Sequence, residues 1–148
     1  MKVRSATLWD VDAIVKLGKS VNEFQVSDQT VTFWPKNVLR AAIKSKNPVL
    51  IAEEEGREIG FIIANYNPSL KKAIIENIYV NPKYRRQDIG KQLLDHLLIA
   101  LKKLKCEYVC SLADYTNKAA VEFYVKNGFT KGMHCVWLDT VLGKSFKK

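Results

Sequence analysis

The sequence predicts an α/β fold in one domain over residues 1–148: a central mixed, mostly antiparallel sheet of six to seven strands, flanked by about four helices. Three observations predict it. Runs rich in β-branched and aromatic residues alternate with amphipathic runs along the chain. Three strand-like runs follow one another between Val49 and Val80 with only tight turns between them, which makes an antiparallel meander. A strand, a helix and a strand then come in succession, and such a crossover is right-handed and leaves its two strands parallel. A chain of 148 residues suits one domain and buries about two thirds of its unfolded surface.

The elements follow in order. Val3 to Ala6 form a short first strand. Thr7-Leu8-Trp9-Asp10 has the form of a capping box, and the helix after it turns Val11, Ile14, Val15 and Val21 inward. Asn22 to Phe33 has no period and reads as a loop. Pro35 suits the first turn of a second helix, whose apolar face is Val38, Leu39, Ala42 and Ile43, and Asn47-Pro48 ends it. Strands Val49 to Glu53 and Glu58 to Tyr66 are joined at Glu55-Gly56. Asn67-Pro68-Ser69 turns into a strand from Ala73, which stops at Asn81-Pro82. From Ile89, apolar residues recur as Leu93, Leu94, Leu97, Leu98, Leu101 and Leu104, so a helix begins near Asp88. Glu107 to Ala113 is the next strand. A short helix from Asn117 to Lys126 presents Ala120, Val121, Phe123 and Tyr124 and closes at Asn127-Gly128. Phe129 to Lys131 and His134 to Leu142 are the last strands.

Composition narrows the functional classes. Apolar residues make up 47% of the chain, yet no apolar run approaches the roughly 20 residues of a membrane span. The N-terminal segment has no apolar signal-peptide core, so a cytoplasmic location with no membrane association is expected. Cys106, Cys110 and Cys135 are odd in number and match no common zinc spacing; reduced, mostly buried thiols are expected and no metal. His96 and His134 read as an ordinary helix-surface residue and an ordinary strand residue. The net charge of +9 asks for an anionic partner. Its cations are scattered and no nucleic-acid motif accompanies them, so nucleic acid is not favoured.

The stretch from Ala73 to Lys105 localises that partner. The first turn of a helix exposes backbone N–H groups at the positive end of its dipole. Here Lys83, Arg85 and Arg86 come just before that end, and Gly90 has no side chain to hold a ligand off the backbone. A phosphate group is the expected guest. In open α/β sheets ligands sit beyond the carboxyl ends of parallel strands, an edge that gathers Val80, the basic turn, Asp114 and Asn117.

Two motifs on these elements give the chain a resemblance to the GNAT acyltransferase superfamily, which transfers an acetyl group from acetyl-CoA to an amine. Arg85-Arg86-Gln87-Asp88-Ile89-Gly90 is similar to its pyrophosphate loop, with Asp88 where the family usually has its first glycine. Asn117, Ala120, Phe123-Tyr124 and Gly128-Phe129 are similar to its second signature. The resemblance implies acetyl-CoA as cosubstrate, direct attack by a primary amine of a small molecule or protein, and cofactor contacts at Ile78, Tyr79, Val80, Arg85, Arg86, Gln87, Asp88, Ile89, Gly90, Lys91 and Asn117. It implies Tyr124 as general acid toward the leaving thiolate. Glu76, an acid in an apolar strand, is the candidate base, and alternation places it on one face with Ile78 and Val80. The family's loop between the first two helices shapes the acceptor site, which implies Glu23, Phe24, Asp28 and Trp34 there. Homodimers are common in the family. Asp88 is expected to cap the helix with its side chain turned away. If its carboxylate instead opposes the pyrophosphate, the alternative is a degenerate module that binds CoA weakly or serves only in interactions.

Overall fold

The computed structural model describes residues 1–24, 33–45, 47–138 and 140. The chain divides into two compact units, Met1–Leu112 and Ala113–Lys148. The first holds a five-stranded sheet in the order β1 (Lys2–Ser5), β2 (Val49–Glu54), β3 (Arg57–Asn67), β4 (Lys72–Val80), β5 (Tyr108–Ser111). The first four strands are antiparallel neighbours, and β5 lies parallel to β4, as the crossover requires.

Helices cover both faces of this sheet. On one face, α1 (Val11–Lys19) and α2 (Lys36–Lys44) pack Ile14 and Leu39 against Ile51, Phe61, Ile63 and Tyr79, all buried. Phe33 is seated there because Gly18 has no side chain: a Cβ on Gly18 would meet the Phe33 ring at 2.2 Å. On the other face, α3 (Ile89–Lys103) buries Leu93, Leu94, Leu97 and Leu101 over the alternate strand residues, including Ile62 and Ile75. No helix among the described residues is long and apolar enough to cross a membrane.

The start of the chain is tied down by charge. Asp10 is only 2% exposed, and its carboxylate accepts from both terminal nitrogens of Arg4 at 2.9 and 2.7 Å. It also accepts from the Thr7 amide at 2.6 Å within the expected capping box. Arg4 Nε reaches Glu53 on β2 at 2.8 Å, so one guanidinium joins β1, β2 and the turn into α1.

In the second unit, α4 (Lys118–Lys126) begins at Asn117, whose Oδ1 accepts from the Ala120 amide at 3.1 Å. Gly128 follows the helix at a φ of +90°, the left-handed conformation foreseen for it.

Three expectations are corrected. Among the described residues, Phe129–Lys131 and His134–Leu138 carry no strand, so the sheet has five strands instead of six or seven; residue 139 and residues 141–148 lie outside the described ones. A strand exists by pairing, and no strand is found among the described residues of Ala113–Lys148. Val38 is 44% exposed, because the stripe of α2 is set by Leu39 and Ala42 with Ile43 beside them. The cysteines are free thiols but not buried: Cys106 and Cys110 are half-buried on either side of the start of β5, and Cys135 is exposed.

Candidate active site

The site starts where the sheet opens. β5 pairs with β4 only from Lys72↔Tyr108 to Ile75↔Ser111, and the Ser111 hydroxyl donates to Ile75 O at 3.2 Å at the last rung. Beyond it the edge of β4 from Glu76 to Val80 has no pairing with β5. Asn81 N–H donates to Ile59 O at 2.8 Å, toward β3. Alternation back from Asn81 turns the Val80 and Ile78 amides the other way, to the open edge. Gly60, opposite Val80, permits this approach, since a Cβ there would lie 2.6 Å from Tyr79 O.

A bulge at the same place corrects the expected alternation. Ile63 pairs with Asn77 and Ala64 with Ile75, which leaves Glu76 as the extra residue of β4. Asn77 and Tyr79 therefore face α1 and α2 with Phe61 and Ile63, while Ile75 and Ile78 face α3. Glu76 is the extra residue between these two faces, so the alternation that would set it with Ile78 and Val80 is interrupted at it. Its carboxyl keeps contact with solvent, yet enough protein surrounds it that desolvation raises its pKa above the ordinary carboxylate value.

The turn after β4 builds the anion site. Asn81 organises it: its Oδ1 accepts from Lys83 N at 3.1 Å, and its carbonyl accepts from Tyr84 N at 2.8 Å. Arg85 Nε folds back onto Val80 O at 3.0 Å. Arg86 and Asp88 both take positive φ, +64° and +57°. Asp88 is the residue before α3, as foreseen, but its left-handed backbone leaves its side chain without a capping bond. The first helical bond is donated by Gln92 to Asp88 O at 2.9 Å, so the amides of Ile89, Gly90 and Lys91 have no acceptor inside the helix. Lys83, Arg85, Arg86, Gln87 and Asp88 are exposed around them. Lys91 is paired with Asp95, so its charge is partly spent within the helix. The donor set, three amides and three cations against one carboxylate, fits a diphosphate.

On the α1 and α2 side, Trp34 Nε1 donates to Asn77 Oδ1 at 2.9 Å, which brings Trp34 beside the bulge. Phe24 stacks on Phe33, with centroids 6.1 Å apart, at the edge of the core, and Glu23 lies in the same short 3-10 turn. Asp28 lies outside the described residues. Asn117 and Tyr124 belong to the second unit, where the Tyr124 ring meets Phe123 and Phe129 edge-on at 5.3 and 5.1 Å. Tyr79, expected to line the cofactor site, buries its ring on Phe61 and offers only backbone. Asn77, bonded to Trp34 at the bulge, was not among the residues singled out from the sequence. Its signal was present: two polar residues, Glu76-Asn77, interrupt the two-residue period between Ile75 and Ile78.

Known proteins resemble this chain in sequence and in fold. A profile for the Acetyltransferase (GNAT) domain matches residues 45–131. The chain is 36% identical over 62 residues to the [ribosomal protein bS18]-alanine N-acetyltransferase of Escherichia coli, covering 42% of each chain. It is 27% identical over 139 residues to an N-alpha-acetyltransferase of Sulfurisphaera tokodaii, covering 86% of this chain and 79% of that one. The chain spans about half the length of several relatives it matches. In fold it is similar to the PaiA N-acetyltransferase of Thermoplasma acidophilum, crystallised in complex with coenzyme A, at a TM-score of 0.74 and 22% identity over 87% of this chain and 89% of that one. With the family's domain matched over more than half of its length, this chain belongs to the GNAT acetyltransferase family.

Proposed function

We propose that the chain is an acetyl-CoA-dependent N-acetyltransferase whose acceptor is the α-amine at a peptide terminus. The observation that supports this reading most is the parting of β4 from β5 at Glu76, on the strand that leads directly into the uncapped start of α3. The diphosphate of the cosubstrate is held by the Ile89, Gly90 and Lys91 amides with Lys83, Arg85 and Arg86 around it. The open edge of β4 then receives the extended arm, with the Ile78 and Val80 amides as donors to the acetyl carbonyl as negative charge grows on its oxygen. The amine forms the new N–C bond as the C–S bond breaks. Glu76 receives the amine's proton, and the departing thiolate takes one up from solvent.

The α-amine is favoured by proton affinity as well as by the relatives' acceptors. A terminal amine has a pKa of about 8 and a lysine about 10.4, so a carboxylate with a raised pKa needs far less help to neutralise the former. Holding amine and thioester together in correct alignment supplies much of the remaining rate. The test has two parts. Calorimetric titration with acetyl-CoA is expected to give binding in the micromolar range, and no heat at millimolar ligand would leave only an interaction module. Thiol release is then followed with a free-terminus peptide, the same peptide blocked at its terminus but bearing lysine, and an aminoglycoside. Transfer to the free terminus is expected. Equal or faster transfer to either of the others overturns the α-amine assignment.

A further inference from the structure

Trp34 Nε1 donates to Asn77 Oδ1 at 2.9 Å. An indole nitrogen only donates, so the amide oxygen must face Trp34 and the NH2 of Asn77 must be turned elsewhere. Among the described residues no group accepts from that NH2, and Asn77 is half-buried. Glu76 and Asn77 are consecutive residues at the bulge of β4, and both stand on the stretch of that strand that has no pairing with β5. Their hydrogen-bonding senses are opposite: an ionised carboxylate only accepts, and the fixed NH2 only donates. A ligand complementary to the pair carries an amine and, three bonds away, an oxygen that accepts. The first residue of a peptide has that form, since its carbonyl is attached to the carbon that bears the amine. A lysine side chain does not, because only methylenes adjoin its amine.

We propose that Asn77, its amide orientation locked by Trp34, is an acceptor-specificity residue that donates to the first carbonyl oxygen of the peptide whose amine Glu76 receives. This rests on the acetyltransferase reading above and adds to it the group that recognises the acceptor backbone. Asn77→Asp is the discriminating variant, because it keeps an oxygen for Trp34 and replaces only the donor. Its kcat/KM is compared with that of the wild type for two acceptors, a short peptide with a free terminus and propylamine, which has no oxygen. The new carboxylate beside Glu76 affects both acceptors alike, so the ratio between them isolates the lost donor. The peptide is expected to lose on the order of tenfold to a hundredfold more than propylamine. Trp34→Phe, which frees the amide without removing it, is expected to lose selectivity in the same direction by a smaller factor, and it serves where the Asp variant does not fold, as judged by thermal unfolding. Equal losses for the two acceptors in both variants overturn the role of Asn77 alone. Failure of the wild type to acetylate either acceptor overturns the activity itself, and the role of Asn77 with it.

Discussion

Glu76 is a carboxylate on a bulge, partly desolvated and close to the edge that β5 leaves. A base acts only when ionised, and a raised pKa means that ionisation is completed at a higher pH than for an ordinary carboxylate. The rate is therefore expected to climb with pH along a limb above the usual carboxylate range. Glu76→Gln is expected to remove that limb and to lower the rate roughly a hundredfold to ten-thousandfold. Initial rates across pH at saturating acetyl-CoA check this, and an unchanged limb in the Gln variant would assign it to another group. The residue was legible in the sequence as an acid in an apolar strand. The bulge at it was not, because that is a matter of register between β3 and β4, and one extra residue reverses the alternation beyond it.

The turn from β4 into α3 works as an element, and Asp88 is where its sequence and its conformation meet. A left-handed backbone costs most residues about 1 kcal/mol, which is why glycine suits such a position and Asp tolerates it. The same conformation prevents the carboxylate from reaching the amides it would otherwise cap, so they remain available to a ligand. Asp88→Gly is expected to change stability little, because relief of about 1 kcal/mol of strain is offset by losing a negative charge at the positive end of the helix, worth about 0.5 kcal/mol. Affinity for acetyl-CoA is expected to rise several-fold as a like charge leaves the diphosphate site. Calorimetric titration of both chains decides, and an unchanged Kd would mean that this carboxylate never opposes the ligand. The motif itself was legible, since Arg85, Gly90 and the leucine stripe of α3 lie in one continuous stretch. The missing cap was not, because a sequence names the residue at a helix start without giving its dihedral angles.

At the scale of the whole molecule, the Arg4 cluster makes the chain's beginning part of the sheet it precedes. The Arg4 guanidinium holds the Asp10 carboxyl at about 2, below its ordinary 3.8, and Thr7 adds two hydrogen bonds to the charged form. A group with a depressed folded-state pKa stabilises above its unfolded value, and that stability is lost as pH falls through the folded one. Here it is present above about pH 4 and disappears toward about pH 2, and its size is about 2 kcal/mol. Asp10→Asn is expected to be less stable by about that amount at neutral pH and to show a flatter acid limb in thermal unfolding. Equal stability of the two chains would mean that desolvation of the pair cancels its attraction. By itself the sequence determined the order of elements, the antiparallel meander, the parallel crossover and the basic start of α3, because these follow from local periodicity, turn chemistry and charge on adjacent residues. Only the tertiary structure decided that β4 bulges at Glu76, that β5 leaves it at Ile75, that Trp34 fixes Asn77 and that Asp88 is left-handed. Each of these depends on which strand or helix stands opposite, and residues far apart in sequence make that choice together.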